Sequence, residues 1–202
     1  ANGTSGEDAV YVGTPTGYYI NKGVNRYMAG FTMGGYAQQL QLIRLAEILL
    51  NYAEAYNELK LADNNNGPIL NDEWQTYGVL KRLRKRGGIN KGEGNLATDM
   101  FGLKPNMTRM EMRQAIRDER RIELAFEGHR FWDVRRWKIA EQTETQQMHG
   151  MEVRLKDDGT KGYTVFTVGA AHVFRKAMYY WPIPYQEITR SPSLIQNPHY
   201  NL

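Results

Sequence analysis

Residues 119–137, ERRIELAFEGHRFWDVRRW, place Glu119, Glu123 and Glu127 at four-residue spacing, followed by Gly128, His129, Arg130, two aromatics, Asp133, Arg135 and Arg136. On a helix that spacing brings neighbouring carboxylates to one face, with Cβ atoms roughly 6 Å apart. A retaining glycosidase needs two carboxyl groups at about that separation, so Glu119 and Glu123 are a candidate pair. The chemistry also needs one of the two raised in pKa by burial or by a like charge. Here Arg117, Arg120, Arg121 and Arg130 lie close in sequence, and opposite charge acts in the other direction. The competing reading is an ion-pair network between two helices.

Other chemistries find less support. Glu127 and His129 are two residues apart across a glycine, which differs from the Glu-x-x-His pairs of di-iron bundles. His149, His172 and His199 fall in expected turns or strands, and none forms H-E-x-x-H. The three serines, Ser5, Ser191 and Ser193, sit in no G-x-S-x-G. Neither a P-loop nor a dinucleotide fingerprint opens a helix. KRLRKR, residues 81–86, is the one basic run; it suits a solvated helix end better than a nucleic-acid contact, for which no second motif is present. No catalytic residue, metal ligand or cofactor is assigned.

The 202 residues carry a formal charge of +4, with 41% hydrophobic and 24% charged residues, which suits a folded domain and only weak attraction to polyanions. Cysteine is absent, which excludes disulfides, thiolate zinc sites and cysteine nucleophiles within the chain. No apolar run approaches the roughly 20 residues of a membrane helix. The N-terminus has no apolar signal-peptide core and no leading Met, so a fragment or processed chain is expected.

The elements that must position these residues are mainly helical. Residues 1–35, with eight glycines, read as loop with a short strand near Tyr18–Ile20. Residues 36–62 form the clearest helix. Leu42, Leu45, Leu49, Tyr52, Tyr56 and Leu59 step along one face, widened by Ile43, Ala46, Leu50 and Ala53. Arg44, Glu47, Asn51, Glu54 and Glu58 make a narrower polar stripe. So wide an apolar arc predicts burial against more than one neighbour. A second helix is predicted from Asn71 as cap, with Trp74, Tyr77, Leu80 and Leu83 inward and Gly87-Gly88 as its stop. Asp63 and the asparagines after it, in the loop between these helices, fit a flexible polar segment better than a calcium site.

Thr108 and Glu111 form a T-x-x-E capping box that starts a third helix. Its expected inward residues are Met112, Ala115, Ile116, Ile122 and Phe126, and Gly128 ends it. A fourth helix over about residues 130–141 carries Phe131, Trp132, Val134 and Trp137. Alternation from Met151 to Leu155, a turn at Asp157-Asp158-Gly159 and a β-rich run from Tyr163 to Val168 predict a hairpin. The tail has four prolines and reads as extended, anchored by Trp181 and Ile183.

The order of LIRLAEILLNYAEAYNEL (42–59), LKRLRKRGG (80–88), IRDERRIELAFEGHRFWDVRRWK (116–138), YYWPIPYQEI (179–188) and IQNPHY (195–200) resembles the C-terminal half of the SusD/RagB family. The resemblance runs from about residue 17 to the end. It implies a mainly α fold: a tetratricopeptide-type helical hairpin, further helices, a small β-hairpin and an extended tail. It implies a non-enzymatic, lipid-anchored outer-membrane protein of the Bacteroidetes that captures glycans, or in RagB-like members peptides, for import through a TonB-dependent SusC-like transporter.

Family members are usually more than twice this long. The resemblance therefore makes residues 1–202 a C-terminal domain, with the signal sequence, the lipid-bearing cysteine and the first helical repeats expected upstream. One hairpin alone leaves the arc of residues 42–59 short of partners, since repeat arrays need about three units. No fixed motif carries the family's ligand contacts, so no binding residue transfers. Tyr18, Tyr19, Tyr27, Tyr36 and Trp74 are spare aromatics, read as packing rather than as sugar platforms. On this view Arg117, Glu119, Arg120, Glu123, Glu127, Arg130, Asp133 and Arg136 form a charged joint around Gly128. Arg130→Ala is then expected to lower the melting temperature and leave ligand preference unchanged. A glycoside hydrolase using Glu119 and Glu123, and a repeat-type scaffold for protein or nucleic acid, are the alternatives.

Overall fold

The computed structural model describes residues 13–23, 41–62, 67, 69, 75–92 and 99–200. They contain six α-helices, one 3-10 turn and one two-stranded antiparallel sheet, the mainly α architecture with a small hairpin expected from the sequence. The chain divides into two compact units, residues 37–130 and residues 1–36 with 131–202.

The first unit is a three-helix arrangement in which α1 (Leu45–Ala62) packs on both α2 (Thr76–Arg86) and α3 (Arg109–Glu123). Its core is Leu50 and Ala53 of α1, Tyr77, Leu80 and Leu83 of α2, and Met112 and Ile116 of α3, closed by Leu103, Met107 and Leu124. Burial of these side chains is the main driving force for the unit. Tyr77 completes it with a polar contact: its hydroxyl donates to Lys104 O at 2.7 Å and accepts from Met107 N at 2.7 Å.

Local signals set the ends of these helices. Thr108 Oγ1 accepts from Glu111 N, and the Glu111 carboxylate accepts from Thr108 N at 2.9 Å, the capping box foreseen from T-x-x-E. The Lys104 ammonium, together with these Thr108 bonds, holds the Glu111 carboxyl down to about 2. Helix α2 ends at Gly87-Gly88: Gly87 N donates to Leu83 O, Ile89 N donates to Arg84 O, and Gly88 takes the left-handed φ of +77° that a glycine tolerates. Its N-cap is Gln75, which gives no side-chain cap. Asn71, Asp72, Glu73 and Trp74 lie outside the described residues, as do Asp63, Tyr27 and Tyr36.

Helix α1 buries only part of the expected apolar arc, the Ala46, Leu50 and Ala53 side of it. Leu42, Leu45, Tyr52 and Leu59 are exposed, Leu42 by 80%. The buried line is Ala46, Leu50, Ala53 and Asn57. Small residues there let α3 approach closely, and the polar stripe of Arg44, Asn51, Glu54 and Glu58 meets α3 and the turn after it. Helix α3 also stops earlier than expected. It ends at Glu123, and a turn over residues 124–128 follows, with Phe126 at φ +63° and Gly128 at +82°. That break rotates Leu124 into the core and leaves Ile122 and Phe126 exposed, contrary to the inward positions expected from uninterrupted periodicity.

The second unit contains most of α4 (His129–Arg136), with α5 (Ala140–Thr143), β1 (Met148–Leu155), β2 (Lys161–Val168), a 3-10 turn (Lys176–Tyr179) and α6 (Tyr185–Arg190). The expected single helix over 130–141 is therefore two. Lys138 at φ +56° breaks it, and Ile139 N turns back to Val134 O. Strands β1 and β2 pair in register Met148↔Val168 to Leu155↔Lys161, with Gly159 in the turn. Asp158 accepts from Thr160 across that turn, which lowers its carboxyl below the usual range.

Residues 18–20 form no strand; instead Thr16 O accepts from Met151 N at 2.9 Å. Gly17 and Gly150 permit this approach, since a Cβ on Gly17 would sit 1.9 Å from Met151 O. A small core of Val134, Ala140 and Phe174 supports the tail, with Ile139 and Tyr179 against it. Gln196 grips the tail main chain at both polar groups of Ile183, at 2.8 and 2.9 Å. Ile183 is half-buried, as an anchor should be, but Trp181 is 76% exposed; only its main chain is held, by Asn197. Tyr18 and Tyr19 are likewise exposed rather than packed.

Candidate functional site

The three glutamates lie where α3 and the turn after it face α1 and the end of α2. Arg44, just ahead of α1, reaches two of them. Its Nε and Nη2 donate to the two carboxylate oxygens of Glu127 at 2.6 and 2.8 Å. Its Nη1 donates to the Glu123 carboxylate, and Nη2 also meets Glu123 O. Arg86 from α2 donates to the same Glu123 carboxylate. Arg84 Nε donates to Glu119 Oε2 at 2.7 Å, while its Nη1 caps Phe101 O at 3.0 Å.

Further along α3, Arg120 Nη1 donates to Asn51 Oδ1 at 2.6 Å, with its Nε 3.9 Å from Glu54. Arg113 forms a two-pronged pair with Glu58. Charge-assisted, bidentate bonds of this kind are the stronger hydrogen bonds in proteins.

The electrostatics follow from the geometry. Burial works to raise the Glu123 pKa, but hydrogen bonds from Arg86 and Arg44 outweigh it and leave the group below the usual carboxylate range. Arg44 is shifted up, mainly by its hydrogen bond to Glu127, against the opposing effect of burial. A general acid needs the reverse shift. The cluster therefore holds Glu123 as an anion, unsuited to donating a proton to a leaving group.

The sequence located these acids but not all of their partners. Arg44, Arg84 and Arg86 come from other elements, and the pairs span 83, 35 and 37 residues respectively. The signal was present as the polar stripe of α1 and the basic end of α2. Arg84 and Arg86 of KRLRKR thus serve carboxylates of the protein itself. Arg117 and Arg130 sit half-buried, on α3 and at the start of α4. His129 Nε2 lies 3.8 Å from Glu47, on α1. In the second unit Asp133, buried, accepts from Arg136 at 2.8 and 2.9 Å. Among the described residues no group of three or more His, Asp or Glu is placed to hold a metal ion, and no helix is long and apolar enough to cross a membrane.

The first unit is thus a helical hairpin braced by a third helix, with Glu119, Glu123 and Glu127 each met by an arginine. The SusD family profile matches residues 2–200, and the chain belongs to that family. It is similar to SusD-like protein P2 of Formosa agariphila, at 27% identity over 155 residues, which covers 77% of this chain and 24% of that protein. SusD-like protein P25 of the same organism is 28% identical over 156 residues, covering 77% and 23%. A crystal structure of a SusD-like protein from Bacteroides fragilis superposes with a TM-score of 0.65 at 29% identity, covering 94% of this chain and 31% of that one. The chain thus spans about a quarter of the length of the curated relatives it matches.

Proposed function

We propose that this chain is the C-terminal domain of a longer cell-surface protein that captures glycans, or peptides, at the outer membrane. A SusC-like TonB-dependent transporter is its partner for import, and a lipid on an N-terminal cysteine outside this sequence is its anchor. The observation that carries the reading is family membership over nearly the whole chain. The neutralised glutamates support binding over catalysis: hydrolysis would need one of the pair protonated near neutral pH, and Glu123 is shifted away from that state. In this reading the eight charged residues of the expected joint are structural, and the frame they brace presents binding surfaces without altering the ligand.

The exposed apolar residues Leu42, Leu45 and Leu59 fit a helix that receives an upstream segment of the same protein. The test is retardation in gels containing polysaccharides, alongside an assay for new reducing ends. Retardation without reducing-end release is expected. Release that disappears in Glu123→Gln would replace this reading with a glycoside hydrolase.

A further inference from the structure

The second unit holds two cavities that meet at one side chain. The larger, about 500 Å³, is lined by Phe131 and Arg135 of α4, Glu144, and His172, Val173, Phe174 and Met178 of the tail. The smaller, about 330 Å³, is lined by Arg175, Lys176, Met178, His199 and Tyr200, with Ala177 between. Met178 is common to both, on the 3-10 turn that separates them.

Arg135 is held in place without an acid. Its guanidinium carbon stacks 3.5 Å from the centroid of the Phe131 ring and 5.2 Å from that of Phe174. Its Nη1 donates to Phe131 O at 2.9 Å. Among the described residues no carboxylate is within ion-pair distance of Arg135, Arg175 or Lys176. In the first unit, by contrast, Arg44, Arg84, Arg86 and Arg113 are each met by a glutamate. A guanidinium with its planar face covered by aromatic rings keeps its edge donors for a carboxylate or sulfate of matching shape.

The ridge between the cavities is built firmly. Phe174 is buried and meets Tyr179 edge-to-face at 4.9 Å, and Tyr200 donates to Tyr180 O at 3.0 Å. Lys138 Nζ, 3.0 Å from the Tyr180 hydroxyl, adds a further cation to the second unit. Among the described residues Glu144 is the one carboxylate on either wall. Its Oε1 accepts from Thr143 Oγ1 at 3.0 Å.

We propose that this double cavity binds an acidic glycan, whose repeated carboxylate or sulfate groups contact Arg135 in one cavity and Arg175 and Lys176 in the other. The inference rests on the glycan-capture reading and names its ligand class. Cations of one sign, repeated on both sides of the Met178 ridge, call for a polymer with repeated charge. A peptide with a single terminal carboxylate would satisfy one cavity alone.

The test uses the 202-residue chain in titrations against polygalacturonate, alginate, a sulfated galactan, a neutral glucan and a panel of tripeptides. An acidic polymer should bind, and binding should weaken as salt rises. Arg135→Met should lower the affinity about ten-fold or more, the order expected for loss of a charge-assisted hydrogen bond. The exposed pair Arg175→Gln/Lys176→Gln should do the same without disturbing the fold. Arg82→Gln/Lys85→Gln, which removes the same charge from α2, should leave it unchanged. An equal loss in both double variants would mean general charge attraction and would overturn the proposal. So would binding of the neutral glucan or of tripeptides with no acidic polymer bound; the glucan result would leave glycan capture standing. If no glycan of either kind binds, the broader reading falls as well.

Discussion

Arg44 and Glu127, 83 residues apart in sequence, form a two-pronged ion pair at 2.6 and 2.8 Å, and the same guanidinium reaches Glu123 one turn earlier. One arginine ahead of α1 thereby fixes the end of α3 and the turn that follows it. The turn, with Phe126 and Gly128 at positive φ, is held as well by its own backbone bonds and by Leu124 in the core, and the pair adds a tie to α1.

Arg44→Met should therefore destabilise the chain. Both partners are mostly buried, with side-chain exposures of 16% and 15%. Removing one member of a fully buried pair costs about 3–5 kcal/mol; the residual exposure brings the expectation here to roughly 2–3 kcal/mol. At this chain length that is a fall in Tm of about 4–12 °C. A double-mutant cycle with Glu127→Gln, followed by thermal unfolding, should show a coupling near 1 kcal/mol or more. Strict additivity of the two variants would show that the pair is not a brace.

Leu50→Ala and Leu42→Ala distinguish the two faces of α1. Leu50 is fully buried and Leu42 is 80% exposed. The first substitution should cost about 2–5 kcal/mol through lost burial and the cavity left behind. The second should stay within about 0.5 kcal/mol in the 202-residue chain. Similar losses at both sites, measured by denaturant midpoint, would restore the orientation expected from the sequence.

Tyr77→Phe removes one hydroxyl and leaves the Lys104 carbonyl and the Met107 amide without their partner. The expected cost is about 1–3 kcal/mol, that of an unsatisfied buried polar group. Faster hydrogen exchange at the Met107 amide would accompany it, and an unchanged exchange rate would count against the assignment.

Acid should unfold the first unit through its glutamates. Glu123 is depressed because Arg86 and Arg44 outweigh its burial, and Glu111 is held at about 2 by Lys104 and Thr108. Carboxylates with lowered folded-state pKa stabilise fully above their unfolded value. They lose that contribution as pH falls through the folded one. Tm should be flat through neutrality and decline as pH drops from the ordinary glutamate range, about 4.3, toward about 2. In Glu123→Gln/Glu111→Gln the decline should be shallower; an identical pH profile would refute the linkage.

Gly17→Ala should release the segment around Thr16 from the hairpin. Its φ of +74° disfavours any side chain, and a new Cβ would overlap Met151 O. Proteolysis within residues 13–23 should become faster, with the first unit's unfolding midpoint unchanged.

Features written in adjacent residues were legible from the sequence. The Thr108–Glu111 box, the Gly87-Gly88 stop and the hairpin of β1 and β2 each depend on contacts within a few positions or on simple strand patterning, and all are realised. The family resemblance was legible for the same reason, as an ordered set of short motifs. Ile122 and Phe126 were misplaced because a helical period says nothing about a turn that begins at Leu124.

The buried face of α1 was only partly legible: Ala46, Leu50 and Ala53 lay within the expected arc, but apolar residues occupy most of that helix and periodicity cannot choose between Leu45 and Ala46. Only packing decides: Ala46 and Ala53 let another helix come close beside the buried Leu50, while Leu45, Tyr52 and Leu59 are left outside. The glutamates follow the same division. Their spacing placed them on one face, but whether they catalyse or brace depended on Arg44, Arg84 and Arg86, brought from 35 to 83 residues away. Coulombic pairing is set by distance in space, which the order of residues along the chain does not contain.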